Sequence, residues 1–297
     1  MPTDRTTDFL RELLVRQLTT WLPTALHRSR RASVALAGVD EGAAQAALRV
    51  VADHAAQVRG RQVTVLVLAD GAADLPARLG PIEAELPAEV TVHVLPGAPD
   101  RLPVAVKAAG AAGSPLFSFL AVPGAVSADV LTATANGRTG EVLLHAGATA
   151  RDALAAIGFP LVAEVAPVLP DGGTAGVVAF GSRSDRSLEA VREALWAVGA
   201  ELGVRYRDDA GVTVDVTGDP DLQPLGRELL AELRRGGPLP VTDLRRHTLT
   251  ATVYRAADAN RALADLLHSG AVVRDPEHGR LGGDVLIIPA RVGPSTA

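Results

Sequence analysis

The chain has 297 residues, 47% of them hydrophobic and 21% charged, a length that suggests about two domains with room for a large core. Its net charge of −5 and pI near 5.8 argue against a protein that coats nucleic acid wholesale, while a local basic face stays open. It has no cysteine, which excludes disulfides, thiolate nucleophiles, Cys-ligated zinc and iron–sulfur clusters. Aromatics make up only 3%, so the core must be built from Ala, Val and Leu, as in a buried parallel sheet. Lys107 is the only lysine, and the excess of Arg, Ala and Gly reads as a GC-rich coding bias rather than Arg-based recognition.

The elements follow from periodicity. Asp8–Trp21 has apolar residues at helical spacing, with Pro23 as an interruption and a continuation to Ser29. Asp4, Asp8 and Glu12 break any secretory signal pattern. Ala32–Ala37 is a short apolar run that enters the turn Gly38-Val39-Asp40-Glu41-Gly42, and Ala43–Val58 then reads as one helix. Gln62–Leu68 is a β-branched strand ending at Ala69-Asp70-Gly71. A helix near Pro76–Leu86, a strand Val90–Leu95 and a helix near Arg101–Ala109 follow. Next come the strand Leu116–Ala121, a helix Ala128–Ala135 and a strand Glu141–His145. This alternation at βαβ spacing predicts an α/β fold, a Rossmann-type and mostly parallel sheet with helices on both faces. A strand Thr174–Phe180 and an amphipathic helix Ser187–Leu202, capped by Ser187 or Asp185, complete it.

The tail changes character after Val212–Val216, with Gly218-Asp219-Pro220 as a plausible hinge. Helices are expected over Leu222–Arg234, Thr242–Leu249 with Thr242 as cap, and Ala256–Ser269 ending at Gly270. Ala271–Val273 and Asp284–Ile288 then form a hairpin around Asp275–Gly279. Three helices followed by a hairpin is the winged-helix pattern. The expected organisation is an N-terminal helix over 1–30, an α/β domain over 31–217 and a winged helix over 218–297. No apolar run reaches the roughly 18 residues of a membrane span, so a soluble, cytoplasmic protein is expected.

The order of elements resembles the three-Cys-motif partner (TcmP) family, class I methyltransferase-like proteins with a C-terminal winged helix. The family's first strand runs into D-x-F-A-G-x-G. Here Val34-Ala35-Leu36-Ala37-Gly38-Val39-Asp40 keeps Ala37-Gly38 and lacks the leading acid and the next glycine. The fourth-strand signature, F-x-D-P-aromatic-G, falls on Phe119-Leu120-Ala121-Val122-Pro123-Gly124, where the leading Phe and closing Gly survive. Gly140–Leu144 matches the family's E-V-L strand, and Leu188–Trp196 resembles its helix ending in an apolar-Trp pair. Thr252-Val253-Tyr254-Arg255, with Arg261-Ala262-Leu263 and Leu266, is similar to its approach into the recognition helix. The resemblance implies S-adenosylmethionine as a possible cofactor, with the motif departures favouring none. It also implies a partner protein carrying the three-Cys motif.

The candidate cofactor residues are Gly38, Asp40, Gly42, Asp70, Ala121 and Gly124. A glycine turn before a helix N-terminus admits a nucleoside ligand, and a carboxylate beyond the second strand, as at Asp70, is placed to hold ribose hydroxyls. Asp40 and Glu41 would repel a phosphate, which S-adenosylmethionine does not have. Each turn also reads as an ordinary strand-to-helix connection. Ala121 is the place of a lost carboxylate, and no catalytic residue or metal ligand is assigned. His145, after the fifth strand, is read as structural. No Gly-x-Ser-x-Gly elbow, Walker loop or His-Glu-x-x-His is present.

In the tail, Arg245, Arg246, Arg255, Asn260, Arg261 and Arg280 are candidates for nucleic-acid contact, with His247 and Arg274 beside them. From Asp219 onward ten Arg face ten Asp or Glu, and Asp258 and Asp265 are expected on the recognition face, where they would repel a duplex. Three functions stand: a catalytically degenerate methyltransferase-like protein that binds nucleic acid or protein through its winged helix; an active S-adenosylmethionine-dependent methyltransferase on nucleic acid; and a ligand-sensing transcription regulator.

Overall fold

The computed structural model describes residues 5–70, 73–122, 124–208, 211–216 and 219–290. The chain divides into two compact units, Met1–Arg205 and Tyr206–Ala297. Gly218 of the expected hinge, Gly71 and Pro123 lie outside the described residues.

The first unit opens with α1 (Arg5–Arg28), β1 (Arg31–Ala37), α2 (Glu41–Asp53), α3 (Ala55–Val58) and β2 (Gln62–Ala69). It continues with α4 (Leu75–Glu83), β3 (Val90–Pro96), α5 (Leu102–Ala108), β4 (Leu116–Val122) and α6 (Ala128–Ala135). It ends with β5 (Gly140–Ala146), α7 (Arg151–Ala156), β6 (Leu161–Val168), β7 (Val177–Ser182) and α8 (Asp185–Leu202). Within this unit the strands lie in the order β3-β2-β1-β4-β5-β7-β6. The pairs among β1 to β5 are parallel, while β7 runs antiparallel to both β5 and β6. The expected α/β architecture with a mostly parallel sheet is present.

Both faces of the central strands are covered, which is why they read as continuous apolar runs. Ala35, Ala37, Leu66, Leu68, Leu120 and Leu144 pack with residues of α5, α6 and α7. Strand side chains alternate, so Phe117 turns to the other face. There its ring meets Trp21 of α1 with centroids 5.6 Å apart. Burying an aromatic of this kind contributes about 2–3 kcal/mol. On that face α1 packs against α2 and α8.

Three local expectations need correction. Pro23 lies inside α1, because Trp21, Leu22, Ala25 and Leu26 extend the buried stripe past it and outweigh the local loss. The helix expected over Ala43–Val58 begins at Glu41 and breaks at His54, whose ring Nδ1 bonds the Val50 carbonyl oxygen at 2.8 Å. The cap of α8 is Ser184, whose Oγ accepts from the Ser187 N–H at 3.3 Å. The elements α7 and β6 are additions to the sequence reading.

Across the boundary and beyond it lie β8 (Arg205–Arg207) and β9 (Thr213–Val214), paired antiparallel. The second unit then has α9 (Gln223–Gly236), β10 (Leu239–Pro240), α10 (Val241–Ala251), α11 (Ala256–His268), β11 (Val272–Asp275) and β12 (Leu286–Pro289). The last three strands form an antiparallel sheet in the order β10-β12-β11. The three helices pack on one another around Leu225, Leu229, Leu244, Leu249, Leu263 and Ile287, all buried. Thr242 does not cap α10; its hydroxyl donates to the Gly283 carbonyl oxygen at 3.0 Å, and Pro240 takes the cap position. Among the described residues no helix is long and apolar enough to cross a membrane.

Candidate functional site

The turn after β1 is held from two sides. The Gly38 N–H donates to the Leu68 carbonyl oxygen at 3.2 Å, which extends the β1–β2 ladder by one residue. Gly38 has φ +71°, and a Cβ there would stand 2.3 Å from the Ala121 carbonyl oxygen at the end of β4. Only glycine permits that backbone approach. Asp40 is the N-cap of α2, its Oδ1 accepting from the Ala43 N–H at 2.7 Å. Gly42 lies in the first turn of α2 with an ordinary φ, and a Cβ there would meet nothing closer than the Arg11 guanidinium, at 3.4 Å. Of the two glycines, Gly38 alone has a backbone reason to be glycine.

The crevice over this turn is small. Thr7, Leu10 and Arg11 of α1 close on Gly38, Phe119 and Ala121 around about 130 Å³. Arg11 is held there by an ion pair with Asp8. Beside it, a hollow of about 320 Å³ is lined by Asp40, Glu41, Asp70, Asp74 and Arg78. Asp70 is exposed just past β2, and Glu41 pairs with Arg78. Ligand pockets usually span about 300–1,000 Å³. At the end of β4, Ala121 and Val122 supply neither an acid, an amide nor a hydroxyl. Gly124 is exposed, with no positive φ and no neighbour that would exclude a side chain. His145 sits opposite Ala121 in β5 and donates from Nε2 to the Ala175 carbonyl oxygen at 2.7 Å. It acts as a tie between β5 and the segment before β7.

Gly38, Asp40 and Ala121 are therefore brought around one crevice and Asp40 and Asp70 around the hollow beside it, while Gly42 and Gly124 contribute nothing specific to either. At the reacting end, Ala121 and Val122 offer S-adenosylmethionine no polar side chain. The space against Gly38 and Ala121 lies below the usual ligand range, and the Asp40 carboxylate is engaged by its helix. Among the described residues no group of His, Asp and Glu could hold a metal ion.

In the second unit most of the candidate cations have carboxylate partners. Asp258 is fully buried and accepts from the Arg255 N–H at 3.0 Å, from Arg255 Nε at 3.0 Å and from its Nη2 at 3.1 Å. The expectation that Asp258 faces a duplex is thus corrected: it locks the start of α11. Arg261 pairs with Asp219 and approaches Asp258 at 3.6 Å. Arg246 lies 3.2 Å from Asp243, and His247 Nε2 lies 2.9 Å from Glu228. Arg245 is half-buried, and the half-buried Asn260 has its side-chain oxygen enclosed. Arg274 donates to the carbonyl oxygens of Pro276, Gly279 and Arg280, bracing the β11–β12 loop and leaving the Arg280 side chain exposed. Tyr254 closes the core from the other side; its hydroxyl donates to the Asp221 carbonyl oxygen at 2.8 Å. Burial, then the Asp221 charge, pushes that phenol up to about 12.

A second polar site lies at the opposite ends of the strands. Glu141, the second residue of β5, is 7% exposed. Its Oε1 accepts from Ser187 Oγ at 2.6 Å and Ser182 Oγ at 3.4 Å. Burial pushes its carboxyl up to about 7, against the pull of the two hydroxyls and of Arg28. Nothing in the run Glu141–His145 announced this, because the partners come from 41 and 46 residues away. No protein-family model and no curated protein matches the chain.

Proposed function

We propose that the chain is a methyltransferase-like protein that has lost catalysis and works as a binding module through a C-terminal winged helix. The observation that carries this reading is the end of β4: the Ala121 backbone lies on Gly38, α1 narrows the crevice to about 130 Å³, and neither Ala121 nor Val122 has a side chain that can orient a methyl acceptor. The strand order, with a reversed β7 inserted between β5 and β6, supports the methyltransferase-like lineage. Three packed helices and a small antiparallel sheet support the winged helix. The pairing of Arg246, Arg255 and Arg261 with carboxylates favours a protein partner over a duplex, because each pair must be broken before a phosphate is contacted.

Thermal denaturation of the full chain tests the first half. A ligand at 100 times its Kd adds about 2.7 kcal/mol of stability; the expected result is no shift with millimolar S-adenosylmethionine or S-adenosylhomocysteine. Fluorescence anisotropy with duplex DNA at low salt tests the second half. Expected is weak binding that Arg246→Ala and Arg261→Ala barely change. A steep salt dependence lost in those variants would assign the winged helix to nucleic acid instead.

A further inference from the structure

The cleft around Glu141 lies far from the Gly38 crevice along the strands, and its chemistry is different. It offers about 120 Å³, open on one side to solvent, between α1, the start of β5 and the start of α8. Two of the residues that line it each carry a buried acceptor atom. Glu141 Oε2 has no hydrogen-bond partner, and neither has Oε1 of Gln17, a residue 1% exposed. A buried polar atom left unpaired costs about 1–3 kcal/mol, so two in one cleft mark a place for a donor. The rim carries three cations, Arg28, Arg183 and Arg186, and the charge of Arg28 already acts on the Glu141 carboxyl. Ser184 caps α8 beside them, which adds the positive end of an 18-residue helix.

These two halves select a ligand. A lone anion would meet the two buried atoms acceptor to acceptor, and a lone amine would meet three positive charges at the rim. A zwitterion satisfies both. The space, about 120 Å³, suits a ligand as small as glycine, alanine or serine. We propose that this cleft binds a small free α-amino acid, its ammonium held by Glu141 Oε2 and Gln17 Oε1 and its carboxylate by the arginine rim. The raised Glu141 carboxyl agrees with this arrangement, since an arriving ammonium replaces the solvation that burial removed. The site is independent of the proposed function and stands or falls without it.

Isothermal calorimetry on the full chain tests the proposal with glycine, L-alanine and L-serine. Saturable binding is expected for at least one. N-acetylglycine, which lacks the ammonium, and glycinamide, which lacks the carboxylate, should each bind at least about tenfold more weakly. Glu141→Gln and Arg186→Ala should each weaken binding about tenfold or more. If Glu141→Gln fails to fold by circular dichroism, the two blocked analogues on the unsubstituted protein decide alone. Absence of saturation with all three amino acids, or equal binding of N-acetylglycine, overturns the proposal.

Discussion

Replacing Glu141 by Gln should flatten the pH dependence of stability in the first unit. The folded carboxyl titrates at about 7 against an ordinary value of 4.5. Below 4.5 it is protonated in both folded and unfolded chains and costs nothing. Above that, the unfolded chain releases its proton while the folded one still holds it, so stability falls as pH rises through 7 and then levels off. At about 1.4 kcal/mol per pH unit, the window from 4.5 to about 7 amounts to roughly 3 kcal/mol. Gln keeps the acceptor for Ser187 Oγ and has no charge to bury. Urea denaturation from pH 4 to pH 8 reads the difference between the two proteins, in which all other titrating groups cancel. The variant should gain roughly 3 kcal/mol relative to the unsubstituted protein between the two ends. Parallel curves for the two proteins would refute the claim that Glu141 is a buried, strained acid.

Three substitutions probe the remaining architecture by the same denaturation assay. Gly38→Ala forces a side chain into positive φ and against the Ala121 carbonyl, and should cost at least about 2 kcal/mol, whereas Gly124→Ala should stay within about 0.5 kcal/mol. Asp40→Ala removes the cap of α2 and should cost about 1 kcal/mol. Asp258→Ala strips the start of α11 of its buried carboxylate and removes the three hydrogen bonds it accepts from Arg255, and should cost at least about 2 kcal/mol.

The strands β1 to β5 were legible because each is a short apolar or β-branched run, and a sheet covered on both faces selects such runs. The segment Leu161–Val168 escaped because Glu164 and Pro167 interrupt it. Glu164 is buried there for a tertiary reason: its Oε2 accepts from the Ala150 and Arg151 N–H groups at 2.8 and 3.0 Å, holding the start of α7. Strand direction is likewise absent from local pattern, so the reversal of β7 had no signal. Pro23 misled because the local cost of proline is readable in sequence and the burial that offsets it is not. The Gly38 turn could be found from its glycine. The assignment of Asp40 to helix capping, and of Arg255 to a buried carboxylate, depends on geometry that spacing alone does not reveal. The Glu141 cleft gathers residues from α1, β5, β7 and α8, so no sequence window contains it.

Titration calorimetry of the full chain with S-adenosylhomocysteine tests the central claim most directly. A crevice narrowed to about 130 Å³ by Ala121, Leu10 and Arg11 predicts no saturable heat even at millimolar ligand. Micromolar binding that Gly38→Trp abolishes would contradict it and make the β4 end a working cofactor site.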